Sequence, residues 1–167
     1  TPQCVGSVVV CGSHGGAYAG YLVARGGVLG FFLNDASVGL DAAGIGCLAL
    51  AEEAGMAAAT IAHSSARIGD AEDMFERGIV SHVNGPARSA GCLPGMTCSA
   101  AAAAMATASP PTGDIREYQE ARQVAGRNAA GLEIVCVDSI SLVEDKDAGQ
   151  IVVSGSHGAI VSSQPGL

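Results

Sequence analysis

The stretch Ser7-Val8-Val9-Val10-Cys11-Gly12-Ser13-His14-Gly15-Gly16 decides the fold class. Its β-branched run 7–11 reads as a short buried strand, and the glycines end it. Residues 15–25 then carry Tyr18, Leu22 and Val23 at helical spacing and close at Gly26-Gly27. A second apolar strand over 28–33 runs into Asn34-Asp35, and a third over 56–62 runs into His63-Ser64-Ser65. Between them, Asp41 reads as the cap of a helix through 50–53, stopped by Gly55. Asp70 caps a short helix over 71–77, residues 79–83 read as a fourth strand, and Thr97 caps an alanine-rich helix over 98–108. Strands alternating with helices predict an α/β fold: a largely parallel sheet with helices on both faces, in Rossmann-like or flavodoxin-like layers.

Ser109-Pro110-Pro111-Thr112-Gly113 interrupts this pattern. The predicted organisation is a core domain over 1–108, a linker over 109–113 and a C-terminal part over 114–167. In that last part Asp114 and Glu117 have capping-box spacing before a predicted helix over 115–130. Strands over 132–137 and 150–153 follow, giving a C-terminal helix plus a two-strand appendage. The short polar turn 144–149 admits a hairpin between those two strands.

Composition narrows the partners. The chain has 167 residues, of which 49% are hydrophobic and 14% charged, so it can bury a core and is no disordered tail. Its formal charge is -8 and Lys146 is its sole lysine, so no basic face is present to displace counterions from nucleic acid. No run approaches the roughly 18 apolar residues of a membrane span. The start, Thr1-Pro2-Gln3-Cys4, lacks a signal-peptide pattern, and the six cysteines form no C-x-x-C pair. Reduced thiols and a cytoplasmic location are expected. The scarcity of charge predicts a homo-oligomer. Neither H-x-x-x-H nor H-E-x-x-H occurs, and neither G-x-G-x-x-G nor a Walker loop, so no metal and no cofactor are assigned.

The most informative feature is internal. Val9-Val10-Cys11-Gly12-Ser13-His14-Gly15 recurs as Val152-Val153-Ser154-Gly155-Ser156-His157-Gly158, with six of seven positions identical and one of the chain's four histidines in each copy. Composition bias explains repeated alanine or glycine better than it explains Gly-Ser-His-Gly after the same apolar strand twice. Ligands of open parallel sheets bind beyond the carboxyl ends of the strands. Those ends here hold Gly12 to Gly16, Asn34-Asp35, His63-Ser64-Ser65, Asn84, Asp138-Ser139 and Gly155-Ser156-His157.

Residues 8–15 together with 31–37 resemble one small piece of the caspase-like cysteine peptidases. In that family one apolar strand ends in His-Gly and a second in Ala-Cys; here Ala36-Ser37 stands where the family has its cysteine. The resemblance covers under a quarter of the chain and implies only a nucleophile–base pair: His14 with Ser37, or with Cys11.

These readings give a hydrolase acting on a small anionic or amide-bearing molecule. His14 is the expected acid or base, His157 its partner or a substrate contact, Ser37 or Cys11 the nucleophile, and Asp35 the group orienting a histidine. Gly12, Ser13, Gly15, Gly16, Ser65 and Ser156 are expected to contact substrate, the backbone N–H groups at Gly15-Gly16 to stabilise an oxyanion, and Arg67 to hold a carboxylate. Two alternatives stand beside this one: a phosphate- or nucleotide-binding module cradling an anion at Gly12 to Gly16, and a non-catalytic subunit of an oligomer.

Overall fold

The computed structural model describes residues 4–158, which divide into two compact units, one reaching to Tyr118 and the other Gln119–Gly158. The first unit is built on four strands: β1 (Val8–His14), β2 (Gly30–Asn34), β3 (Ala57–Ile61) and β4 (Val80–Val83), hydrogen-bonded in that order. β1, β2 and β3 are mutually parallel, while β4 is antiparallel to β3. The sheet is therefore mixed, not the largely parallel one that strand–helix alternation predicts. The helix between β3 and β4, α3 (Ala71–Arg77), does not carry the chain back along the sheet, and β4 returns in the opposite direction.

Two helices, α1 (Ala17–Ala24) and α2 (Cys47–Glu53), follow β1 and β2. Right-handed crossovers that advance in one direction along a sheet lay successive helices on the same face. Accordingly, Ala19 and Ala24 of α1 and Cys47, Leu50 and Ala51 of α2 share a buried cluster with Phe31, Leu33 and Ala58. The alternate side chains, Phe32, Ala57, Ala59 and Ile61, face the other cluster. There they meet Met74 of α3, Ala87 of α4 (Gly85–Ser89) and Cys98, Ala101 and Met105 of α5 (Cys98–Met105). Every residue of β2 and β3 is buried, as covered strands require.

Side-chain caps set three helix starts. Asp70 accepts from the Asp73 N–H at 3.0 Å, Thr97 from Ala100 at 3.3 Å, and Asn84 from Ala87 at 3.1 Å. Asp41 caps nothing: residues Leu40–Ile45 form a 3-10 turn in which Asp41 and Ala42 are left-handed, and α2 begins at Cys47.

The ladder between β1 and β2 runs in step from Val8↔Gly30 to Val10↔Phe32, then jumps to His14↔Asn34. Cys11, Gly12 and Ser13 thus bulge from the strand. At the bulge the Gly12 carbonyl accepts from the Gly69 N–H at 2.7 Å, and a Cβ on Gly12 would lie 2.8 Å from backbone atoms of Gly69 and Asp70.

The second unit is a sheet ordered β5-β6-β7, from β5 (Arg122–Arg127), β6 (Glu133–Val137) and β7 (Ile151–Ser154). The helix predicted over 115–130 is absent; residues 122–127 pair instead with β6 as an antiparallel hairpin. Helix-forming composition yields here to tertiary contacts, because the segment has no apolar stripe and Arg122 reaches the buried Asp147 carboxylate. β6 and β7 are parallel, not a hairpin, and the segment between Val137 and Ile151, with its two 3-10 turns, is long enough for the crossover. The appendage thus has three strands and no helix.

Gly12→Ala is expected to lower stability by about 1–3 kcal/mol through overpacking against immovable backbone, read as a fall in the urea midpoint. Gly126→Ala, where nothing lies within 4 Å of the added carbon, should cause no such fall.

Candidate active site

The chain leaves β2 toward α2 on one face of the sheet and leaves β3 toward α3 on the other. In open α/β sheets, ligands bind at such a point, outside the carboxyl ends of adjacent parallel strands whose connections leave to opposite faces. Asp35 follows β2 and His63 follows β3, so both lie at the carboxyl ends of these two strands. The Asp35 N–H donates to the Ile61 carbonyl at 2.8 Å, which carries the parallel ladder to the edge of the site.

Asp35 is 3% exposed, and one of its oxygens, Oδ1, accepts three hydrogen bonds. The donors are the His63 backbone N–H at 3.0 Å, the His63 ring at Nδ1 at 2.8 Å, and the Ser37 backbone N–H at 3.0 Å. Burial pushes the carboxyl pKa up. The bonds from the His63 backbone and ring, the Ser81 hydroxyl and the Ser37 backbone outweigh it and hold Asp35 below its ordinary value. With Asp35 ionised, the shared proton sits on Nδ1 of His63, and Nε2 of the neutral ring is the proton acceptor. The His63 side chain is 49% exposed, so the pair has one buried and one accessible member.

Ser37 lies in a run of left-handed residues: Ala36, Ser37 and Val38 have φ of 45°, 65° and 66°. Each costs about 1–2 kcal/mol relative to ordinary backbone, and a β-branched valine there is a genuine outlier. Hydrogen bonds hold the turn. Asn34 Oδ1 accepts from Ala36 N–H at 2.9 Å, Asp35 Oδ1 from Ser37, and the Asp35 carbonyl from Val38 at 2.7 Å. Strain of this kind concentrates at functional sites, and here it leaves Ser37 exposed beside the Asp35 carboxylate.

The nominated residues separate into those this site includes and those the fold uses elsewhere. Asp35 orients a histidine, but the histidine is His63, which the sequence reading placed at a strand end without giving it a role. His14 ends β1 opposite Asn34, and its Nδ1 accepts from the Gly16 N–H at 3.0 Å, so its neutral ring carries the proton on Nε2. The Gly15 N–H donates to the Asn34 carbonyl at 2.6 Å. Both N–H groups expected to cradle an oxyanion or phosphate are thus engaged within the loop. Gly15 is required for packing: a Cβ there would sit 2.4 Å from the Gly44 carbonyl oxygen.

Cys11 packs against the cluster beneath α1 and α2, Gly12 meets the Gly69–Asp70 backbone, and Ser13 is exposed. Ser65 ties its own loop, donating to the Ala62 carbonyl at 2.8 Å and accepting from Ile79 N–H at 2.9 Å. Arg67 lies 3.4 Å from an Asp70 oxygen and 3.9 Å from an Asp73 oxygen. His157 and Ser156 belong to the second unit, where Ser156 Oγ accepts from Ile140 N–H at 2.9 Å. Among the described residues, no three His, Cys, Asp or Glu side chains are grouped to hold a metal ion, and no helix is long and apolar enough to cross a membrane.

Comparison with protein-family models, with characterised proteins and with solved structures finds no match to this chain.

The depressed Asp35 pKa gives a signed expectation. Stability from this carboxylate is fully present above its unfolded value of about 3.9 and is lost as pH falls through the lower folded value. The wild-type denaturation midpoint should therefore drop below about pH 4, and Asp35→Asn should flatten that acid limb while lowering the midpoint at neutral pH.

Proposed function

We propose that the chain is a small hydrolytic enzyme in which His63, oriented by Asp35, is the general base toward a small amide- or ester-bearing molecule. The observation that carries this reading is the buried carboxylate bonded at 2.8 Å to Nδ1 of a half-exposed histidine, at the carboxyl ends of two adjacent parallel strands. The sequence expectation gave the base to His14; His63 takes the role because it has the carboxylate partner. That partner fixes the ring's tautomer and steadies the imidazolium formed when Nε2 takes a proton.

Ser37 is the nucleophile in this reading, supported by its exposure and by sharing Asp35 Oδ1 with His63. Nε2 of His63 accepts the Ser37 Oγ proton as the oxygen attacks the substrate carbonyl carbon. The same proton passes to the leaving amine or alkoxide as its bond to that carbon breaks. Water, deprotonated by His63, then releases the acyl group and restores the serine. A neutral amide fits better than an anion, since Arg67, the cation nominated for a carboxylate, already faces Asp70 and Asp73. The reading includes a cytoplasmic location, supported by the free thiols of Cys11, Cys47, Cys92, Cys98 and Cys136.

A panel of p-nitrophenyl esters and anilides tests the assignment. His63→Gln should lower kcat/KM by about 10²–10⁴-fold, with His14→Ala and His157→Ala affected much less. A folded His63→Gln protein that turns over at the wild-type rate would remove His63 from the mechanism, and retained activity in Ser37→Ala would move the attacking oxygen to water.

A further inference from the structure

Asn34 ends β2 fully buried. Alternation along the strand puts it on the face of Phe32, where Phe32 and Ala66 share a cluster with α3, α4 and α5. An amide in such a place costs more than an apolar side chain of its size unless its hydrogen bonds are made. Both of its arms are engaged: Oδ1 accepts from the Ala36 N–H at 2.9 Å, and Nδ2 donates to the Ala66 carbonyl at 3.4 Å. The first bond closes the turn that carries Ser37, and the second crosses to the loop that carries His63. That loop is itself tied, because Ser65 donates to the Ala62 carbonyl through its N–H at 2.9 Å and its hydroxyl at 2.8 Å. Consecutive residues at one strand end therefore grip the segment 63–66 at both of its ends. Asp35 Oδ1 holds the backbone N–H and the ring of His63, and the Asn34 amide holds the carbonyl of Ala66.

We infer that Asn34 is a positioning residue that braces the loop after β3 against the turn after β2, and so holds the His63 ring on Asp35. This rests on the Asp35–His63 pair being the working base. Both bonds from His63 converge on a single oxygen of Asp35, which alone leaves the loop a pivot at that atom. A second attachment at Ala66 removes the pivot. Without it the ring exchanges its Nδ1 bond to the carboxylate for water, and Nε2 loses the orientation that proton transfer requires. The effect falls on the chemical step and not on substrate binding.

The test compares two variants of the full chain, with the His63 Nδ1 proton followed by NMR and turnover measured on a responsive p-nitrophenyl substrate. Asn34→Ser keeps a hydroxyl that accepts from the Ala36 N–H as the amide does, but it is too short to reach Ala66. Asn34→Leu, near the amide in size, removes both bonds. In both variants the Nδ1 resonance should move or broaden. Turnover should fall about tenfold in kcat for Asn34→Ser, the effect of one hydrogen bond, and at least as far for Asn34→Leu, with KM unchanged. The Ala36 amide should stay protected from hydrogen exchange in Asn34→Ser and lose protection in Asn34→Leu, which separates the brace from the turn. An amide that serves the turn alone would leave Asn34→Ser with a wild-type Nδ1 resonance and wild-type kcat, and that result overturns the inference. Should neither variant fold, the wild type decides: the Asn34 side-chain amide protons should exchange slowly with solvent, and rapid exchange overturns the brace. The resonance and exchange readings need no substrate, so their failure is distinct from failure of the hydrolytic reading, which shows as undiminished activity in His63→Gln.

Discussion

The ionised carboxylate of Asp35, taken out of water between the ends of β2 and β3, is the constraint on which the site depends. A buried charge is tolerated only when its lone pairs are met by donors. Here those donors come from two separate pieces of chain: the turn after β2 and the end of β3. Meeting that demand fixes the left-handed turn that exposes Ser37 and the orientation of the His63 ring. The strain in residues 36–38 is then a consequence of seating one charge, not an independent peculiarity.

The sheet beneath is suited to this because it is narrow in side-chain volume. Three successive alanines, Ala57, Ala58 and Ala59, form the first three positions of β3, and all are buried. Their small side chains fall on both faces, Ala58 in the cluster with α1 and α2 and Ala57 and Ala59 in the cluster with α3, α4 and α5. Phe31 and Phe32, pointing to opposite faces from β2, supply the largest buried volumes next to the site. Rigidity at β2 and β3 is what allows the residues just past their ends to be held in costly conformations.

Much of this was readable from the chain. The strands 7–11, 28–33 and 56–62 stand out because buried strands are short apolar runs between glycines, and Asp70 and Thr97 sit where helices need side-chain acceptors; Asn84, legible only as a strand end, also caps a helix. What sequence spacing does not contain is the lateral order of strands. Asp35 and His63 were both legible as strand-end residues, but their meeting requires β2 and β3 to be neighbours in parallel register. Local pattern cannot give that. The reversed direction of β4 and the extended 122–127 segment were missed for a related reason. In each case a long-range ladder, and for Arg122 an ion pair with Asp147, overrode a sequence that reads locally as something else.

The duplicated Gly-Ser-His-Gly shows how far a motif alone determines chemistry. In both copies the motif stands at the end of a strand that lies parallel to one followed directly by an aspartate: β1 beside β2 with Asp35, and β7 beside β6 with Asp138. In both, the N–H of a motif glycine donates to the last residue of the neighbouring strand, Gly15 to Asn34 and Gly155 to Val137. The difference lies on the far side of the aspartate-bearing strand. Beyond β2, the parallel β3 delivers the ring of His63 to Asp35. Beyond β6, at the start of the antiparallel β5, the backbone N–H of Ala121 donates to Asp138 at 2.7 Å. The same motif therefore flanks a carboxylate bonded to an imidazole in one setting and a carboxylate bonded to a main-chain N–H in the other. The direction of a third strand, which the motif does not encode, separates a group able to move protons from one that ties a sheet together.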